Sequence, residues 1–247
     1  MKKVLLLLAA CLLASLCIGC GRFDLYDDFS PPNGTILLSS SFDNGASVEW
    51  SPEPDERYWV VEDGRYGLAD HAPNGVPQRV FSRQSDWNGF VWDNYSLTVR
   101  VFFSSSDWVQ CPVDDYTSIL FRVLDDENYM ELRFVPTGGY DRAPKWQYPG
   151  PPGAAVELYS VRSGEDRRLG GCYVGMLGQS EYLVDIELHG RLCLVYVDGL
   201  LALNTPDVLR GAGGVGLQAA VSHEPSQLLE PAQWREVWFD DVVVTAY

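Results

Sequence analysis

The sequence predicts an all-β fold, an antiparallel two-sheet β sandwich, on three observations. Residues 182–190 (YLVDIELHG) and 191–199 (RLCLVYVDG) alternate apolar and polar side chains at period two and abut at a His189-Gly190 turn. Further runs of that kind recur along the chain, separated by Gly, Asn and Asp turn signals. Helical periodicity is nearly absent, and a chain of short strands without helices buries its apolar faces by packing sheet on sheet.

The elements follow in order. Residues 39–42 lead into an acidic turn, Asp43-Asn44-Gly45, and residues 58–61 run into a second, Glu62-Asp63-Gly64, after which 65–68 resume. Residues 95–103 (YSLTVRVFF) alternate, as do 118–124 and 129–135, which Asp125-Asp126-Glu127-Asn128 joins as a hairpin loop. Residues 156–162, the 182–199 pair, 213–220 (GGVGLQAA) and 238–245 (WFDDVVVT) complete the series. About a dozen short strands with such turns indicate a sandwich or jelly roll. Trp50, Trp59 and Trp238 belong to its interior. Residues 137–153 (TGGYDRAPKWQYPGPPG) break the regularity as a long Gly/Pro loop that carries Tyr140, Trp146 and Tyr148. A loop of that length is a functional candidate.

The N-terminus reads as an export signal. Lys2 and Lys3 precede an uncharged apolar run, residues 4–16, which is short for a membrane span. Cys17-Ile18-Gly19-Cys20 then has the form of a bacterial lipobox, with Cys20 as the lipidated mature N-terminus, although Cys17 stands where Leu is usual. An ordinary secretory signal is the other reading, and both export the chain. The expected organisation is a signal peptide over 1–19, a lipidated tether over 20–40 and one domain over 41–247. The lipid would be the chain's only membrane contact, and its site the bacterial cell envelope.

The formal net charge is −16, and loss of Lys2 and Lys3 makes the mature chain more acidic still. That balance argues against nucleic acid and against a second, electrostatic contact with anionic lipid. An oxidising location favours a Cys111–Cys172 disulfide, since both cysteines stand in Gly/Pro/Asp-rich surroundings, and leaves Cys193 as a small buried hydrophobe within a strand. Among the four cysteines left after processing, Cys20, Cys111, Cys172 and Cys193, no CxxC pair or Cys/His cluster suggests zinc.

Several motifs, taken in order, resemble one fold family. They are Phe42-Asp43-Asn44-Gly45, Trp-Val-Val-x-Asp-Gly at 59–64, Asn-Tyr-Ser-Leu-Thr-Val-Arg-Val at 94–101 and Phe-Arg-Val-x-Asp-x-x-Asn-Tyr-x-x-Leu-Arg at 121–133. LVYVDG at 194–199, Gly214-Val215-Gly216-Leu217 and Phe239-Asp240-Asp241-Val242 complete the set. Together they are similar to the concanavalin A-like lectin/glucanase jelly rolls, in particular laminin-G-like domains of bacterial surface proteins, over residues 40–247. The resemblance implies two packed sheets, one able to cradle a glycan. It also implies a structural Ca²⁺ site, because in similar jelly rolls the acidic turn and the closing Phe-Asp-Asp strand lie side by side. Asp43 and Asp240 match those positions, with Asp241 as a supplement. An Asp pair held by backbone amides without metal is the alternative.

The family's hydrolases carry paired carboxylates on one strand face, roughly 5–5.5 Å apart when retaining. The nearest match is Asp185 and Glu187, but Leu183 stands where the first catalytic Glu belongs, so the pair reads as the solvent face of a half-buried strand. His71, His189 and His223 accompany no nucleophile or metalloprotease motif. Sugar rings stack on aromatic faces, which makes Trp146, Tyr148, Tyr140 and Trp108 the ligand-binding candidates, with Trp87 and Trp92 in similar loop settings. The expected function is that of a non-catalytic surface lipoprotein whose domain binds a glycan or an envelope or surface protein partner. The alternatives are a glycoside hydrolase or lyase with a non-standard acid pair, and a structural envelope-assembly subunit.

Overall fold

The computed structural model describes residues 32–43, 50–53, 58–68, 77–82, 92–103, 117–137, 153–176, 181–206, 208, 212–219 and 237–247. Its strands are β1 (Ile36–Ser40), β2 (Trp50–Glu53), β3 (Trp59–Glu62), β4 (Arg65–Leu68), β5 (Gln78–Ser82), β6 (Tyr95–Phe103), β7 (Thr117–Asp125) and β8 (Asn128–Thr137). They continue as β9 (Gly153–Arg162), β10 (Glu165–Met176), β11 (Glu181–His189), β12 (Leu192–Val197), β13 (Leu200–Thr205), β14 (Gly214–Ala219) and β15 (Val237–Ala246). No α-helix occurs among the described residues. Two antiparallel sheets result, as the alternation predicts. Sheet A runs β13-β12-β11-β6-β15-β4-β3, with β1 also paired to β15, and sheet B runs β10-β9-β8-β7-β14-β5-β2.

The side-chain pattern explains which face meets which. In β6 the residues Tyr95, Leu97, Val99, Val101 and Phe103 are buried, while Ser96, Thr98, Arg100 and Phe102 between them are half-buried. β11 repeats this alternation, so sheet A turns one face to the core and the other toward water. Those inward residues pack with Ile119, Phe121, Leu132, Phe134 and Leu158 of sheet B in one cluster. Each such side chain contributes about 1.5–3 kcal/mol through burial. Aromatic rings fill one region, where Tyr66 lies 5.1 Å from Phe42 and 5.0 Å from Trp59, centroid to centroid. The buried Trp50 indole donates to Ser40 Oγ at 3.1 Å.

Asp63-Gly64, Ser163-Gly164 and Asp198-Gly199 each close a two-residue hairpin with positive φ at both positions. That is the type I′ turn whose twist matches paired strands, and Asp or Gly tolerates it best. The Asp125–Asn128 hairpin also forms as expected: Asp125 Oδ1 accepts from the Glu127 amide at 2.9 Å and from Asn128 Nδ2 at 2.7 Å.

Four expectations change. Residues 36–40, expected in the tether, form β1 on β15, because Ile36-Leu37-Leu38 carries an apolar signal that the Gly/Pro/Asp-rich stretch around it masks; Leu38 is buried in the core. Trp92, placed with exposed loop aromatics, is buried and meets Tyr95 edge-on at 5.9 Å. Cys172 stands within β10 rather than in a loop. Trp50 and Trp59 are core residues, but Trp238 is buried outside that cluster, lying over Gly67 on the opposite face of β15 from Phe239. Strands β2, β5, β10 and β13 escaped the sequence reading. Three of them (β2, β10 and β13) are sheet edges, where period-two burial is weakest.

Gly67 is the position where that packing tolerates no side chain. A Cβ there would stand 2.5 Å from the Val237 carbonyl oxygen and 2.6 Å from Trp238 Cε3. Gly67→Ala should therefore destabilise the domain by about 1–3 kcal/mol, read as a lower denaturant midpoint with unchanged slope. An unchanged midpoint would contradict the close approach of β4 to Trp238.

Candidate functional site

The residues that bring chemistry together lie on the face of sheet B turned away from the core. Unlike its counterpart on sheet A, this face is largely buried: Leu120, Val123, Tyr129 and Val161 form a second apolar cluster on it, with Phe81 packed alongside. Beside that cluster runs a polar network. Register places Arg79, Gln218, Ser118, Arg133 and Glu157 in one row across β5, β14, β7, β8 and β9. Leu120, Glu131, Tyr159 and Arg168 form the next row.

Glu131 is the hub. It is fully buried, and a buried carboxylate needs a donor for each oxygen. Ser118 Oγ donates to Oε1 at 2.6 Å and Gln218 Nε2 donates to the same atom at 3.0 Å. Arg133 Nη2 donates to Oε2 at 2.8 Å. Arg79 Nε continues the chain to Gln218 Oε1. The second carboxylate, Glu157, is also buried, and accepts from Tyr159 OH at 2.6 Å and from Arg168 Nε at 3.0 Å. Arg133 links the two halves: its guanidinium stacks 3.8 Å over the Tyr159 ring, and Nη1 reaches Asp166 Oδ2 at 2.9 Å. Burial, then the hydrogen bond to Glu157, push the Tyr159 hydroxyl up to about 12, so it stays a donor throughout the neutral range. Glu131 and Gln218 thus make a dry floor, and Tyr159, Arg168 and Asp166 make a margin partly open to water.

Sheet A presents a different outer face. Arg100 pairs there with Glu181 and, at 3.1 Å, with Asp241 Oδ2. Asp185 and Glu187 are half-exposed on the same face, as expected for a solvated strand face, with Asp185 accepting from Thr98 Oγ1 at 2.6 Å. Glu187 lies 3.7 Å from His189, whose ring is 4.6 Å from that of Tyr247.

The calcium expectation meets only part of a ligand set. Asp43 comes near Asp240: burial first, and then the charges of Asp241 and Asp43, raise the Asp240 carboxyl above its ordinary value. Yet Asp241 turns to Arg100, and Asp240 Oδ1 accepts the Asp241 amide at 2.8 Å. Among the described residues no group of three or more His, Cys, Asp or Glu side chains is arranged to hold a metal ion. The described side chains alone supply fewer than the six to eight oxygens that Ca²⁺ takes.

Trp146, Tyr148, Tyr140 and Trp108, with Trp87, His71 and His223, lie outside the described residues, as do Cys20 and Cys111. Cys172 carries a free thiol, 3.4 Å from the Tyr173 carbonyl oxygen, and Cys193 is buried and free. The network around Glu131 and Glu157 was not anticipated. Its signal was available as Glu-x-Arg in β8 and Glu-x-Tyr in β9, charges at outward positions of strands whose other outward residues are apolar.

No protein-family model and no curated protein matches the chain by sequence. Solved structures do match by shape. A carbohydrate-binding module, CBM66, from Bacillus subtilis aligns at TM-score 0.53 and 12% identity, covering 80% of this chain and 96% of its own. The β-glucanase of Bacillus licheniformis aligns at 0.57 and 12%, covering 87% and 99%. The exoplasmic/lumenal domain of VIP36, solved with Ca²⁺ and Man3GlcNAc bound, aligns at 0.56 and 8%, covering 85% and 88%. The chain has the concanavalin A-like lectin/glucanase jelly-roll fold.

The two outer faces should respond differently to loss of charge. Glu131→Gln should destabilise the domain by about 3 kcal/mol or more, because it removes the charged acceptor of Arg133 Nη2 and sets an amide against donors in a buried site. Arg100→Gln, on half-exposed partners, should cost less than about 1 kcal/mol. Equal effects in urea unfolding would contradict the assignment of the network as a buried unit.

Proposed function

We propose that this chain is a carbohydrate-binding, lectin-like domain that acts without catalysis through the outer face of sheet B. The observation that carries the reading is the network itself. It is a rigid set of donors and acceptors, with Arg133 and Tyr159 held in place from below, next to apolar surface. Such a combination suits a sugar, whose hydroxyls need fixed polar partners and whose ring faces need apolar ones. The shape likeness to a carbohydrate-binding module and a lectin supports it. Against catalysis stands the saturation of the carboxylates: both oxygens of Glu131, and both of Glu157, already accept from fixed donors. A general acid must instead hold a transferable proton, and a nucleophile must be free to attack.

Trp146, Tyr148, Tyr140 and Trp108 are proposed as stacking platforms. Their segments, 138–152 and 104–116, leave the sheet at Thr137, Gly153 and Thr117, the same end as Ser118, Gln218 and Arg133. We further propose display on the bacterial cell envelope through a lipid on Cys20.

A second reading, a glycoside hydrolase or lyase, is favoured by the placement of Glu131 and Glu157 on adjacent strands of one face. Turnover of a polysaccharide that Glu157→Gln abolishes would establish it.

Titration calorimetry of the purified full chain against a polysaccharide panel tests the proposal. Binding to one sugar class is expected, weakened about tenfold or more, ~1.4 kcal/mol, by Tyr159→Ala, Arg168→Ala or the Trp146→Ala/Tyr148→Ala pair. Unchanged affinity in all three variants would remove the site from sheet B.

A further inference from the structure

Resting on the carbohydrate reading of this face, one hydrogen bond adds a requirement: its direction decides what the sugar must offer. Tyr159 on β9 is half-buried at the margin of the network, and its hydroxyl lies 2.6 Å from Glu157 Oε2. A phenol carries one proton and can also accept, whereas a carboxylate only accepts. The proton between them therefore belongs to Tyr159 and points at Glu157. A separation of 2.6 Å is that of a charge-assisted O–H···O⁻ bond.

Both groups are held in that arrangement. Glu157 is buried, and Arg168 Nε donates to its other oxygen, Oε1, at 3.0 Å. The Arg133 guanidinium lies 3.8 Å over the centre of the Tyr159 ring, so it supports the ring face and not the oxygen. Burial, then the bond to Glu157, push the hydroxyl up to about 12, so the phenol keeps its proton through the neutral range.

With its proton committed inward, the Tyr159 oxygen has only lone pairs to offer outward. Among the described residues no donor fills them. Donation to a carboxylate also polarises the phenol, which makes its oxygen a stronger acceptor. Ser118 follows the same rule, giving its proton to Glu131 Oε1 at 2.6 Å, but it is fully buried. Tyr159 is where this polarity reaches the partly open margin.

We propose that Tyr159 is a specificity-determining residue of this face: its oxygen accepts from one free hydroxyl of the bound sugar. Glu157 is the positioning residue that keeps the phenol's proton turned inward. The site takes a glycan whose recognised unit bears an unsubstituted hydroxyl at that point. A deoxy, O-methyl or O-acetyl position brings no donor and leaves the acceptor unpaired. A site built to hydrogen-bond a ligand hydroxyl rejects the analogue lacking it more sharply than an apolar pocket rejects a missing methylene.

The test is calorimetry of the full chain with gluco-, galacto-, manno- and xylotriose. The tightest binder is then measured in its monodeoxy and monodeoxyfluoro forms, one hydroxyl at a time. Fluorine keeps a weak acceptor but carries no proton, so it isolates the donor. At one position both replacements should weaken binding about tenfold or more. Tyr159→Phe, which keeps the ring over Arg133, should weaken the parent sugar as much while binding both analogues as the wild type does. That coupling separates recognition from packing, since a packing loss weakens parent and analogues alike. If Tyr159→Phe does not fold, the wild type decides alone: recovery of affinity by fluorine at every position overturns the inference. Parent and analogues weakened together by Tyr159→Phe, or none of them weakened, also overturns it and leaves the carbohydrate reading standing. Binding of none of the four trisaccharides by a folded protein overturns both.

Discussion

A carboxylate with no access to water sits in the middle of sheet B, and it dictates how four strands meet. Glu131 takes donors from β7, β14 and its own strand, so those strands are fixed in one register. A slip of one residue would point Glu131 into the apolar core, opposite Ile119 and Phe121. The same slip would leave Arg133 and Gln218 without their acceptor. A buried ionic hub adds little net stability over a well-packed apolar one, but it is costly to break by halves. Its consequence here is specificity: one pairing of β14, β7, β8 and β9 gives Glu131 a donor on each oxygen, and that pairing delivers Arg133, Tyr159 and Arg168 to one place.

The two sheets divide the labour accordingly. Sheet A closes the core with its inner face and spends its outer face on half-exposed pairs such as Arg100 with Asp241, which water screens. The middle of sheet B is buried on both sides, so the hydrogen bonds of Glu131 on its outer face persist in a medium that strengthens them, while Asp166 and Arg168 at the β10 edge stay open to water. The buried Arg122 ties strands together at the join between sheets. Its backbone amide donates to the Tyr95 hydroxyl at 2.9 Å and its Nη2 to the Asp93 carbonyl at 3.0 Å, tying β7 to the start of β6. Positions with that much internal restraint can hold a ligand's polar groups without reordering, which is where binding affinity is usually lost.

How much of this was legible in the sequence follows from which faces are wet. β6, β11 and β15 alternate because one side meets water, and their limits came out nearly residue for residue. β7 is buried along almost its whole length, so its sequence says strand but not which residues face the second cluster. Glu131 and Glu157 look like ordinary solvent-facing charges in their strands, and only the sheet order reveals that Ser118, Gln218 and Arg168 reach them. The Asp185–Glu187 pair shows the converse: the same period-two pattern on a wet face stays a solvated pair. The charge of Asp43 acts on Asp240, but the bulge that turns Asp241 toward Arg100 has no signature in the sequence.

If sheet B is the binding face, its amides must report the ligand. The decisive observation is a nitrogen–proton correlation spectrum of the labelled chain, titrated with whichever oligosaccharide binds. Shifts concentrated on β8, β9 and β10 around Arg133, Tyr159 and Arg168, with β12 and the outer face of β6 unmoved, are what the structure requires. Shifts centred on Arg100, Asp185 and Glu187 of sheet A would place the site on the opposite face and contradict it.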